Sequence, residues 1–328
     1  MLTYAVLPGP SAISRALAAL PPYDGAPLCL ELAPGEYREK VLLDRPHLVL
    51  RGAGTDKTVI RWQDGAKEPL EDGQPRGTFR TATVRVDAPY VTLQGLSIVN
   101  ACAPRERAGQ AIALYADGDF FLCEDCRLRS FQDTLFTAPL PPKELQKNGF
   151  IGPKQFAPRM PQRHTYRRCR IEGDIDFIFG SAAAWFEACD IVSVDGRADR
   201  SALAEGYATA ASTPEGQRFG YVFSHCRFLG EGVEEGSVYL GRPWRDYAKT
   251  VLLHCELGPH IRPEGWHDWD KPAFHSAGLY AEYGCTGPGA AGERAPFARR
   301  LTENEAAAYT YEAFLASLQS PIHHPIPI

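Results

Sequence analysis

Five segments of the chain repeat one local pattern: a cysteine, a charged residue, then Leu, Ile or Phe. They are Cys126-Arg127-Leu128, Cys169-Arg170-Ile171, Cys189-Asp190-Ile191, Cys226-Arg227-Phe228 and Cys255-Glu256-Leu257. In an extended strand, side chains alternate between faces, so the Cys and the residue two later share a face while the charge points away. Three residues before these cysteines lie Cys123, Tyr166, Phe186, Phe223 and Leu252, again apolar. Such recurrence is the mark of a β-solenoid, in which stacked coils line up equivalent inward residues as ladders. The cysteines then serve as small buried hydrophobes. The rival reading makes Cys123-x-x-Cys126 a metal or redox pair, but no second pair stands at metal-binding spacing. Nine cysteines is an odd number, which excludes a complete disulfide framework and fits a reduced protein.

Coil length is not uniform. Cys169 and Cys189 are one short coil apart, whereas Cys126 and Cys169 are separated by about twice that. A Pro- and Gly-rich stretch over 138–162 accounts for the excess and reads as an inserted loop. The whole chain of 328 residues is read as one all-β domain with short terminal capping helices. The first is expected at about 11–22, where Ala12, Ile13, Ala16, Leu17 and Leu20 have helical spacing and Ser11 is a candidate N-cap. The last is expected at about 302–318, where Thr302 and Glu305 stand at capping-box spacing. The tail beyond it, with His323 and His324, reads as extended and solvated.

The net charge is −5 and no basic stripe is present, which argues against a nucleic-acid partner. No apolar run approaches a membrane span. The N-terminus lacks the basic and apolar regions of a signal peptide, so the expected location is cytoplasmic; the alternative is a secreted or periplasmic protein whose signal was removed. A monomer is expected of a capped solenoid.

Neither G-x-S-x-G nor H-E-x-x-H occurs, which leaves serine-triad and zinc hydrolysis without support. Carboxylates and amides offer more. Asp176 interrupts the apolar run Ile175-Asp176-Phe177-Ile178-Phe179, a costly placement for an unpaired charge. Asp133 follows Gln132 in Gln132-Asp133-Thr134, and Gln110 precedes another apolar strand. Gln110 and Asp133 are about one coil apart, and Asp133 and Asp176 are separated by the same interval as Cys126 and Cys169. Stacked strands lie about 4.8 Å apart. The spacing therefore gathers two carboxylates and two amides on one patch. Arg242 and Trp244 join from a later coil, and Arg can hold a carboxylate through two hydrogen bonds.

The segments Gly35–Val41, Gly109–Leu114, Gln132–Phe136, Asp176–Ala182, Leu240–Trp244, Glu264–Trp269 and Tyr280–Ala290, in this order, resemble the pectin methylesterase (pectinesterase) family, in its bacterial type with a long loop between the Q-D-T and D-F-I-F-G motifs. The resemblance implies a right-handed parallel β-helix that removes methyl esters from the C6 carboxyls of galacturonate and releases methanol, with no cofactor and no metal. By the same resemblance Asp176 is the nucleophile, Asp133 the general acid and then base, Gln110 and Gln132 the oxyanion hole, and Arg242 the partner that keeps Asp176 ionised by lowering its pKa. Trp244 and Trp266 would line the sugar cleft. Phe179 would do so only if the strand bends, since strict alternation puts it opposite Asp176. The implied partner is methyl-esterified homogalacturonan or its oligogalacturonides, and the loop is expected to close one end of the groove.

Other readings differ in product. An esterase or thioesterase would take another acyl group, a glycosidase would create reducing ends, a lyase an unsaturated sugar, and a non-catalytic carbohydrate-binding β-helix nothing.

Overall fold

A computed structural model describes residues 1–199 and 205–318. Among these, strands form three sheets of eleven, seven and eight strands, and every pair of named strands is parallel. From Leu28 to Tyr283 successive strands belong to different sheets, so the coils wind around the faces of a parallel β-helix; the first two strands and the last two each share the eleven-stranded sheet. The tail residues His323 and His324 lie outside the described residues. Among the described residues no helix is long and apolar enough to cross a membrane.

The cysteine repeat sets the register. Arg127 pairs with Arg170, Arg170 with Asp190, Asp190 with Arg227, and Arg227 with Glu256, so the five preceding cysteines fall in one column. The Cys169 and Cys189 amides donate to the sulfur of the next ladder cysteine at 3.4 Å. Cys123 belongs to the neighbouring column, where it pairs with Tyr166. Above it Tyr166, Phe186 and Phe223 stack face to face, with ring centroids 4.7 and 4.4 Å apart. Both columns lie in the main core, and the two cysteines of the C-x-x-C pair pack there as hydrophobes. The corner before each ladder cysteine is turned by one left-handed residue: Asp125, Arg168, Ala188, His225 and His254 all have φ near +50°. Two of these five, Arg168 and Ala188, are not residues that favour such a conformation.

The ends differ from expectation in detail. The first helix spans Ala12–Ala18 and buries Ala12 and Ile13 over the first coil. Ser11 does not cap it, because its backbone is left-handed and its hydroxyl makes no cap bond. The cap is remote: Glu39 accepts from the amides of Ile13 and Ser14, both at 2.9 Å. In place of one helix over 302–318 there are two, Glu303–Ala306 and Tyr311–Leu315. Thr302 and Glu305 form the capping box, and Thr310 restarts the second helix by accepting from the Ala313 amide. These helices lie on the outer face of the largest sheet, not over the last coil. The reason is an outward apolar column, Trp185, Val222, Val251 and Ala281, which Phe314 covers.

Candidate active site

Asp176 lies in a strand of the seven-stranded sheet, Ile175–Gly180, and Asp133 in the turn just before its neighbour Leu135–Thr137; both have left-handed backbones, at φ 49° and 65°. Non-glycine residues held this way cluster at functional sites. At Asp176 the cause is a bulge. Ile175 pairs with Tyr207 but Ile178 pairs with Thr209, so one extra residue is accommodated between them. Consecutive residues Phe177 and Ile178 therefore both face the core, and Asp176 and Phe179 both face outward. This is the bend that Phe179 required, and it lines the cleft.

That cleft has a volume of about 680 Å³. It brings together Gln110, Gln132, Asp133, Asp176, Phe179, Arg242 and Trp244. Gln110 and Gln132 are neighbours on adjacent coils, tied by the Ala111 amide donating to the Gln132 carbonyl at 3.0 Å. Among the described residues neither side-chain amide has a protein partner, so they form no internal amide ladder and remain free to donate to a ligand.

Arg242 donates to Asp176 through Nε at 2.8 Å and Nη2 at 2.7 Å, a two-point pair. Its guanidinium lies between the rings of Tyr207 and Trp269, each centroid 3.8 Å away. The fork is thus oriented by stacking before it meets the carboxylate. Asp176 is only 7% exposed, and its pKa is raised by burial, with Arg242 opposing. The expectation that Arg242 leaves it lowered is corrected: desolvation outweighs the ion pair. Asp133, 8% exposed, is raised further, well above the carboxylate range, first by burial and then by the charge of Asp176. It has no protein hydrogen-bond donor among the described residues. Burial raises both carboxyls, Asp133 more strongly than the Arg242-paired Asp176, so of the two Asp133 is the more biased toward its protonated form.

Trp266 is not in the cleft. It is 1% exposed, stacks on Tyr280 at 4.3 Å and donates Nε1 to Glu282 at 2.9 Å. The cleft tryptophan of that motif is Trp269, which follows a turn and stacks on Arg242. Trp266→Ala is accordingly expected to act on stability, lowering it by about 3–5 kcal/mol in denaturant titration, with KM of the surviving folded enzyme little changed.

Several cleft residues have no sequence signal of their own. Phe79 arrives from a short 3-10 turn, Thr78–Arg80. Lys271 places Nζ 2.6 Å from the Pro243 carbonyl and 4.2 Å from the Trp269 ring centre, and burial, with Arg245 and Arg242 nearby, lowers its pKa to about 8. Lys67, Lys147 and Arg245 also border the cavity, so a protein of net charge −5 presents a cleft richer in cations than in carboxylates.

The family model described as "Pectinesterase" matches residues 9–140 and 159–318. The chain belongs to the pectinesterase family. Pectinesterase QRT1 of Arabidopsis thaliana is 31% identical over 87% of this chain and 68% of its own length, and Pectinesterase 31 of that plant 30% identical over 87% and 82%. Against two further Arabidopsis relatives, probable pectinesterase 8 and probable pectinesterase/pectinesterase inhibitor 64, the chain spans 65% and 45% of their length. Pectin methylesterase PemA from Erwinia chrysanthemi superposes with a TM-score of 0.78 at 27% identity, covering 97% of this chain and 98% of that one. A pectin methylesterase in complex with a hexasaccharide gives 0.77 at 26% identity, covering 98% and 100%. This pectinesterase thus has the right-handed parallel β-helix of that family.

Proposed function

We propose that this pectinesterase hydrolyses the C6 methyl ester of galacturonate in pectin and its methylated oligogalacturonides through an acyl-enzyme on Asp176. The observation that carries the residue roles is the paired but differently titrating couple: Asp176 gripped by Arg242, and Asp133 beside it without a donor. A carboxylate attacks an ester only if it is ionised, aimed and shielded from water. Both Asp176 oxygens accept from Arg242, one from Nε and one from Nη2, which fixes the plane of the carboxylate, and Phe179 and Trp244 shield the approach.

Attack of an Asp176 oxygen on the ester carbon forms a tetrahedral centre whose oxyanion takes hydrogen bonds from the Gln110 and Gln132 amides. The C–O bond to methoxide breaks as Asp133 delivers its proton, and methanol leaves. Water then attacks the anhydride while Asp133 takes back a proton, which frees the galacturonate and regenerates Asp176. This chemistry needs no metal or organic cofactor. Removing one amide donor, as in Gln132→Ala, is expected to lower kcat about 10²–10³-fold with a smaller change in KM. A fall in KM affinity alone would make Gln132 a binding residue.

Methanol measured enzymatically from methylated pectin, alongside assays for reducing ends and unsaturated uronides, tests the reading. Methanol without the other two products is the expected result. Reducing ends or unsaturated products without methanol would replace it with hydrolase or lyase chemistry.

A further inference from the structure

The family match breaks at 141–158, and this unmatched segment lies against the cleft. Leu145, Gln146, Asn148 and Phe150 supply part of the cavity wall. The segment is fastened to both sides of it. On one side Phe150 meets Phe79 with ring centres 5.9 Å apart, and Gly152 packs so closely on Phe79 that an added Cβ would come within 2.8 Å. On the other side Phe150 meets Trp244 at 6.1 Å, and Arg245 donates to the Lys143 carbonyl at 2.9 Å. Phe179 completes the circuit, 6.2 Å from Phe79 and 5.7 Å from Trp244. Four rings, Phe79, Phe150, Trp244 and Phe179, thus close on one another beside the outward-facing Asp176.

The segment also holds its own shape. Arg159 donates to the carbonyls of Pro141, Lys154, Gln155 and Ala157. Glu144 accepts from the amides of Asn148 and Phe150. Lys154 reaches Asp87 at 3.6 Å and Asp117 at 3.3 Å on the coils below. A loop tied at its base, its middle and both walls is a fixed wall and does not behave as a mobile flap. A cavity of about 680 Å³ has the size of an ordinary small-molecule site, typically about 300–1,000 Å³.

We infer that the 141–158 segment is a specificity element that ends the sugar-binding cleft at Phe150, so that this enzyme acts on short methylated oligogalacturonides and on chain ends in preference to the interior of long pectin. The inference rests on the esterase reading above. A polymer passing through the cleft would have to displace Phe150 from Phe79 and Trp244 together; a short chain or a terminus enters from the open side.

The test compares kcat/KM per ester for methanol release from fully methylated trigalacturonate and from high-ester pectin. Three proteins are needed: wild type, Phe150→Ala, and a variant with 142–157 replaced by a short Gly-Ser linker. Wild type is expected to favour the trimer at least tenfold. The polymer-to-trimer ratio is expected to rise at least tenfold in the linker variant and several-fold in Phe150→Ala. Phe150→Ala leaves the loop's hydrogen bonds in place and keeps the test decisive if the linker variant fails to fold. A wild type equally active on both substrates, or a ratio unmoved in folded Phe150→Ala, overturns the specificity role while leaving the esterase reading intact. No methanol from either substrate with wild type overturns both.

Discussion

Asp176→Asn is expected to abolish methanol release, with kcat falling at least about 10⁴-fold while the β-helix persists. An amide oxygen can still accept from Arg242, so the guanidinium keeps one hydrogen bond and its two stacking partners, Tyr207 and Trp269. What disappears is the oxygen that forms the acyl bond in the proposed mechanism. Arg242 also loses its counter-charge in a largely buried setting, so stability should fall by about 1–3 kcal/mol rather than rise. Methanol release from methylated trigalacturonate, with near-UV circular dichroism to confirm folding, checks both parts. A folded variant retaining more than about 1% of wild-type kcat would remove Asp176 from the nucleophile's role and leave it half of a structural ion pair.

Asp133→Asn is expected to separate activity from stability. The variant cannot give or take the proton, so kcat should fall about 10²–10⁴-fold. Its stability should move the other way. In the folded protein the Asp133 carboxyl titrates well above its unfolded value of about 3.9, because burial and Asp176 both disfavour its charge. Below that unfolded value both states hold the proton and nothing is lost. As pH rises past it, the unfolded chain sheds the proton while the folded chain retains it, and wild-type stability declines until the folded pKa is passed. Asn carries no proton to shed. Its advantage should therefore be near zero at pH 4 and grow as pH rises toward neutral. Thermal melts of both proteins from pH 4 to 8 check this. An Asn variant less stable than wild type at pH 7, or one whose advantage is the same at every pH, would show that Asp133 is not a protonated acid held at a cost.

Much of the architecture was legible because its cause is local. The alternation of faces in Cys169-Arg170-Ile171 and its four counterparts depends on backbone geometry alone, and the register followed from repeating it. The loop over 138–162 was legible from prolines that no strand tolerates. The motif residues Gln110, Gln132, Asp133 and Asp176 converge in one cleft because they keep step with the coils, and Arg242 joins them from a later coil. Errors arose where a distant contact decided a local outcome. Ser11 is well placed in sequence to cap a helix, yet Glu39, from the bend between the later strands Gly35–Arg38 and Val41–Leu43, does so. The left-handed corners at Arg168 and Ala188 carried no sequence signal, since the ladders on either side impose a backbone that these residues do not favour.

The sequence by itself determined a stack of parallel coils and the set of polar groups that share one face, since both follow from the period of the side chains. Tertiary structure alone decided how those groups are used. The bulge that turns Asp176 and Phe179 to the same side arises from pairing with Tyr207 and Thr209. Burial, which depends on every neighbouring coil, raises the pKa of Asp133 well above its ordinary value and outweighs Arg242 at Asp176. Trp266 and Trp269 are indistinguishable as letters three places apart. Packing against Tyr280 sends the first into the core, and the turn after it lays the second on Arg242.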